Sequence, residues 1–213
     1  MERFDDAIAT FLHAVERARQ MVSLFDALSA IRIRDPANDD ALRSAYILAV
    51  SSFDFFAHEL ALVEAKHRFR SSLKTRNITL PMELMTINDA EERSNAAESQ
   101  IRQSNSYKAF VDPAKLAEML SCYCANPWQK ITERLNEGKV VGDRRTDVQV
   151  KGQLKSIWKR RNQIAHEADV NPTLAGITLW PIDKPDTELT IAFILELGEH
   201  LPGVIAEALP EED

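Results

Sequence analysis

Glycine is scarce in this sequence, six residues in 213, and strand-like alternation of apolar and polar residues is nearly absent, so little points to a sheet-built fold. Cysteine is scarcer still. Cys122 and Cys124 stand two positions apart in a helical context, point to different faces and cannot bridge each other. That usage suits a reducing cytosol. Long apolar runs are missing too: stretches such as Ile191–Leu195 are far too short to span a bilayer. Met1-Glu-Arg-Phe leads directly into an amphipathic helix with no leader pattern, so a cytoplasmic protein with no membrane partner is expected. An excess of positive charge is also lacking. The net charge is -7, so any nucleic-acid contact must come from a local basic patch in an acidic body.

What is present in quantity is Ala, Leu, Glu, Arg and Lys, all good helix formers, in a chain long enough for one sizeable domain. Phe4, Ile8, Phe11, Leu12, Val15, Val22, Phe25 and Leu28 recur at helical spacing and predict a first helix ending near Ile31. Asp39 or Asp40 can cap a second, carrying Leu42, Tyr46, Ile47, Val50, Phe53, Phe56 and Leu60 to about Arg70. The two are long enough to pair antiparallel. A polar helix over 88–103 has Ala90, Ala96, Ala97 and Ile101 as its only apolar face and is expected to be exposed or mobile. Residues 77–110 are therefore the candidate insertion in a single domain spanning 1–213. Asp112-Pro113 and Asn126-Pro127 open two short helices, the second stopping at Gly138. Thr146-Asp147 caps a helix through Val150, Leu154, Ile157, Trp158 and Ile164. Residues 174–185 read as extended. Asp186-Thr187-Glu188 is expected to cap a last helix kinked at Pro202. The fold class is all-α, with no internal repeat.

The stretch that carries chemistry is Lys155-Ser-Ile-Trp-Lys-Arg-Arg161-Asn162-Gln-Ile-Ala-His166. No acidic residue occurs from Val148 through His166, and Lys151, Lys155 and Lys159 repeat every four positions, lining one helix face. Arg160 and Arg161 continue the charge toward the helix end. A solvated face is the bland reading of such a strip; in so acidic a chain it also makes a local anion site. Imidazole changes its charge near neutral pH, which suits His166 to proton transfer. Arg161 and His166 are five positions apart, about 140° on an ideal helix. For both to reach one phosphate, the helix end must distort or two chains must combine, which argues for a site across a dimer axis.

Arg161-Asn162-x-x-x-His166, with a basic residue before it and an amphipathic helix around it, resembles the Arg-x(4–6)-His motif of HEPN ribonucleases. The second helix, Arg43-Ser-Ala-Tyr-Ile-Leu-Ala-Val-Ser-Ser-Phe-Asp54-Phe-Phe-Ala-His-Glu59-Leu, is similar to the aromatic-rich helix of HEPN domains of the RiboL-PSP type, where an acidic side chain lies close to the motif. The resemblance implies an up-and-down bundle of four to five helices, here with additional ones. It implies a homodimer whose axis gathers arginine and histidine from both copies, and RNA cleavage without metal, often by prokaryotic toxins or antiviral effectors. One subgroup has a tyrosine two residues after the histidine, modified by a nucleotidyltransferase partner. Ala168 stands there, so that control is not expected.

Other constellations fall away. His58-Glu59 begins like a zincin helix, but the second histidine would fall at Leu62. Cys122 and Cys124 lack zinc-site spacing. His13, His67 and His200 stand alone, and no glycine-rich phosphate loop or nucleophile elbow occurs. Trp128 and Trp158 read as packing residues, although a tryptophan beside the basic strip also suits base stacking. Asp54, among Phe53, Phe55 and Phe56, needs a partner if buried, and Arg161 is the obvious one. Glu59 has an exposed reading as well as a supporting one.

The expected function is a metal-independent endoribonuclease with no cofactor, acting on RNA such as tRNA or mRNA. Arg161, His166 and Asn162 are the catalytic set, Asp54, Glu59 and Arg160 support it, and Lys151, Lys155 and Lys159 bind the RNA backbone. An antitoxin or defence-system protein is a possible further partner. The rival from another class is a non-catalytic helical module that binds RNA, nucleotide or protein. The acidic net charge favours the rival, the intact Arg161-Asn162…His166 set the enzyme.

Overall fold

A computed structural model describes residues 2–33, 35–174 and 176–207. Among the described residues the chain forms seven α-helices: α1 (Asp5–Ile31), α2 (Asp39–Arg70), α3 (Ala90–Asn105), α4 (Pro113–Leu120), α5 (Pro127–Leu135), α6 (Asp147–His166) and α7 (Lys184–Ile205). There is no strand among them, only an isolated antiparallel bridge between Val170 and Leu179. The all-α reading is thereby met.

The architecture follows from α2. Its buried residues include Leu42, Ala45, Tyr46, Ala49, Val50, Phe53, Phe56, Ala57, Leu60 and Ala61, covering more than one face, so it must be wrapped rather than laid on a core. It packs most extensively on α1 and α7, then on α3 and α6. This corrects the expectation that no segment is long and apolar enough to cross a bilayer. By length and composition, Pro36–Arg70 is. Most of its large apolar side chains, Phe55 excepted, are however packed into the bundle, and Arg43, Glu64 and Arg68 are buried along it as well.

On α1, Phe11, Val15, Ala18 and Val22 face inward. The Phe11 ring stacks on Phe56 of α2 at 4.5 Å between centroids. Gly198 of α7 admits the same ring, since a Cβ there would fall 2.4 Å from it. Three helices thus meet at one aromatic pair. At the far end of α2, buried Glu64 accepts from Arg3 at 2.7 Å and from Arg68 at 2.7 Å. Arg68 also donates to the carbonyls of Lys74, Ile205 and Glu207, tying the beginning and end of the fold to its central helix.

Several boundaries differ from expectation for local reasons. Asp39 and Asp40 lie in the first turn of α2 rather than capping it; Asp35 caps a preceding 3-10 turn, Pro36–Asn38. α7 begins at Lys184, not after Asp186, because Asp183 accepts from the N–H of Asp186 and Pro185 fits the first turn. Pro202, where a kink is expected, lies inside α7, which continues to Ile205. Cys122 and Cys124 sit in the turn after α4 rather than in a helix, and both are free. α3 is not a free polar helix. Ala97 and Ile101 are buried, and Lys66–Glu98, Arg102–Glu59 and Arg70–Ser94 pairs fasten it to α2.

Candidate active site

α6 positions the motif. Thr146 and Gln149 form a reciprocal capping box that fixes the helix start. Val150, Leu154, Ile157 and Ile164 anchor the buried face. On the opposite face Lys151, Lys155, Lys159, Asn162 and His166 fall within about 80° of one another at the α-helical turn of about 100° per residue. The lysine strip therefore runs straight up to Asn162 and His166. Lys151 is tied to Asp147 at 2.8 Å. Lys155 and Lys159 are exposed and have no ion-pair partner among the described residues.

Arg161 starts from the half-buried side of α6, yet its guanidinium reaches the exposed face. Its Nη1 donates to Asn162 Oδ1 at 3.2 Å and lies 3.4 Å from His166 Nε2. One chain therefore brings all three motif side chains together, and the spacing argument for a second chain is overturned: arginine is long enough to wrap the helix. The contact also carries a protonation requirement. A guanidinium N–H can only donate, so a hydrogen bond between the two requires Nε2 to present its lone pair. His166 itself is exposed.

Beneath the motif lies Asp54 of α2. Its direct partners are not Arg161 but two backbone N–H groups, Phe110 at 2.5 Å and Val111 at 3.3 Å. Burial raises its pKa; the nearby His58, the two N–H groups and Arg161 oppose the rise. Arg161 is thus an electrostatic neighbour of Asp54 rather than its hydrogen-bond partner. His58 lies one turn along α2, and no group of three or more His, Cys, Asp and Glu suited to a metal occurs among the described residues. Its Nε2 meets the carbonyl of Lys108 at 3.0 Å, and its ring lies 4.2 Å from that of Phe110. Asp54 and His58 together grip the loop before α4 and place it beside the motif. The i,i+4 spacing of the two was visible in the sequence; the loop they hold was not.

The remaining predicted residues lie elsewhere. Glu59 faces away, bound to Arg102 of α3 at 2.7 and 3.3 Å. Arg160 turns from the strip to the buried carboxylate of Asp169, which it holds together with Arg43. The structure thus gathers Arg161, Asn162, His166 and, at one remove, Asp54, and leaves Glu59 and Arg160 in structural pairs.

The described residues thus form an all-α bundle with an arginine, an asparagine and a histidine side by side at the end of a lysine-lined helix. The RiboL-PSP-HEPN family model matches residues 13–207, and the chain belongs to that family. The chain has no significant match to a curated protein or to a solved structure.

Proposed function

We propose that the protein is a metal-independent endoribonuclease whose active site is completed by a second copy of the chain. The observation that carries this reading is the contact of the Arg161 guanidinium with both Asn162 Oδ1 and His166 Nε2. It joins an anion-binding fork to a proton acceptor. His166 Nε2 takes the proton of a ribose 2′-hydroxyl. The 2′-oxygen attacks the adjacent phosphorus, the bond to the 5′-oxygen breaks, and that oxygen leaves with a proton. The products carry a 2′,3′-cyclic phosphate and a 5′-hydroxyl. Proton transfer of this kind contributes roughly 10²–10⁴-fold. Arg161 binds the phosphate and offsets the charge that builds on it, Asn162 orients the guanidinium, and Lys155 and Lys159 hold the RNA backbone.

The case for a second copy rests on chemistry. One imidazole cannot be base and acid in the same displacement, and His166 is exposed where electrostatic stabilisation needs water excluded. A two-fold pairing of α6 ends answers both needs with an imidazolium from the other copy. As a member of a family rich in such effectors, the protein is read as a cytoplasmic prokaryotic toxin or defence effector, with tRNA or mRNA as substrate and an antitoxin or defence-system protein as regulator. A non-catalytic RNA- or nucleotide-binding module is the second reading, favoured by the net charge of -7. Incubation with tRNA and total RNA in EDTA, followed by end-group analysis, separates the two: cyclic phosphate ends are expected, and intact RNA supports the binding module.

A further inference from the structure

α6 ends at His166, and the chain turns through two consecutive residues in the left-handed region, Ala168 at φ 50° and Asp169 at φ 57°. Glycine is the usual residue where a helix ends this way, and neither position has one. Such backbone persists only where its surroundings fix it, and here Asp169 does the fixing. Its side chain is almost fully buried. One carboxylate oxygen accepts from Arg43 Nε of α2 at 2.7 Å and from Arg160 Nη2 of α6 at 3.0 Å, and the other accepts from Arg160 Nη1. Its N–H donates to the Gln163 carbonyl at 3.0 Å, and its carbonyl accepts from Trp180 at 2.8 Å. Arg43 and Arg160 go on to the carbonyls of Trp180 and Pro181. Every polar group of Asp169 is engaged, three residues beyond His166.

We propose that Asp169 is a positioning residue for the Arg161–His166 pair. By locking the turn at 168–169 onto α2 and α6, it fixes where α6 ends and so holds the His166 imidazole with Nε2 toward the Arg161 guanidinium. It acts through the backbone, since its carboxylate is occupied by Arg43 and Arg160. The same two bonds draw Arg160 away from the RNA-facing strip. The kinetic part of this proposal rests on His166 being the proton-transfer group; the conformational part does not.

Asp169→Asn is the first variant, because asparagine tolerates left-handed backbone and keeps the shape while losing the charge. Arg160→Gln is the second, leaving the Asp169–Arg43 bond in place. Nitrogen NMR of the histidine side chains should show wild-type His166 as the Nδ1–H tautomer and Asp169→Asn relaxed to the mixture of a free histidine. The kcat for RNA should fall on the order of 10²-fold, the cost of displacing a reacting group by about an ångström, while KM stays, because Lys155 and Lys159 are untouched. Arg160→Gln should move both readouts part of the way and decides the matter if Asp169→Asn does not fold. His166 signals and kcat like those of wild type would overturn the proposal, as would a kcat loss with the His166 tautomer unchanged. If wild type cleaves no RNA, the ribonuclease reading fails alone and the tautomer measurement still decides the role of Asp169.

Discussion

At its Cα, Arg161 points about 140° away from His166 around α6, and only a long side chain closes that gap. Lysine keeps the charge but lacks the planar fork, so it cannot hold a phosphate in the bidentate geometry a guanidinium gives. Arg161→Lys is therefore expected to lower kcat steeply with RNA affinity nearly kept, as single-turnover cleavage and filter binding will show. Asp54 supplies a second test. Burial raises its pKa above the ordinary value, so in the window between its unfolded and folded pKa the native state holds more protons than the unfolded one. Its contribution is present below the unfolded value and is lost as pH rises through the folded one. Asp54→Asn can still accept from Phe110 and Val111 through Oδ1. The difference in stability between wild type and variant should thus shift toward the variant as pH rises, read by denaturant titration at several pH values; a pH-independent difference would contradict the burial argument. The motif itself was legible from spacing and charge. The supports were not: Asp169 meets Arg43 across 126 positions, and no local pattern announces such a bond.

Helix ends decide how α6 presents its face. Ala168 sits at φ 50°, which costs an L-residue with a Cβ roughly 1–2 kcal/mol. Ala168→Gly should accordingly stabilise the protein by about 1 kcal/mol, seen as a higher urea midpoint, with cleavage kept because Asp169 still anchors the turn. Gly198→Ala should do the reverse. Its Cβ would meet the Phe11 ring at 2.4 Å, and that ring is pinned by Phe56, so a loss of about 1–3 kcal/mol is expected. The long helices α1, α2 and α6 were readable almost to the residue because apolar period and caps agree along them. The polar helix α3 was legible and keeps an exposed face, but its docking on α2 was not, because its few apolar residues and its Glu98 and Arg102 find partners far along the chain. The start of α7 was misplaced because Asp183 caps across a Lys-Pro pair that reads as loop.

For the molecule as a whole, an acidic body carries one lysine-lined helix that ends in an exposed histidine. A proposed homodimer pairs two such ends, and an isologous interface of at least about 1,000 Å² is expected; light scattering should give twice the 24.1 kDa chain mass at micromolar concentration. Full activity from a monomer would contradict the shared site, though not the chemistry. The chemistry stands or falls on His166, since arginine keeps its proton at neutral pH and cannot replace imidazole. The most direct measurement is cleavage of an end-labelled RNA by wild type and His166→Ala, each with and without EDTA, alongside RNA binding by both. Cleavage by wild type regardless of EDTA, and none by a His166→Ala protein that still binds, is the result this account expects; cleavage by His166→Ala at the wild-type rate, or its loss in EDTA, would contradict it.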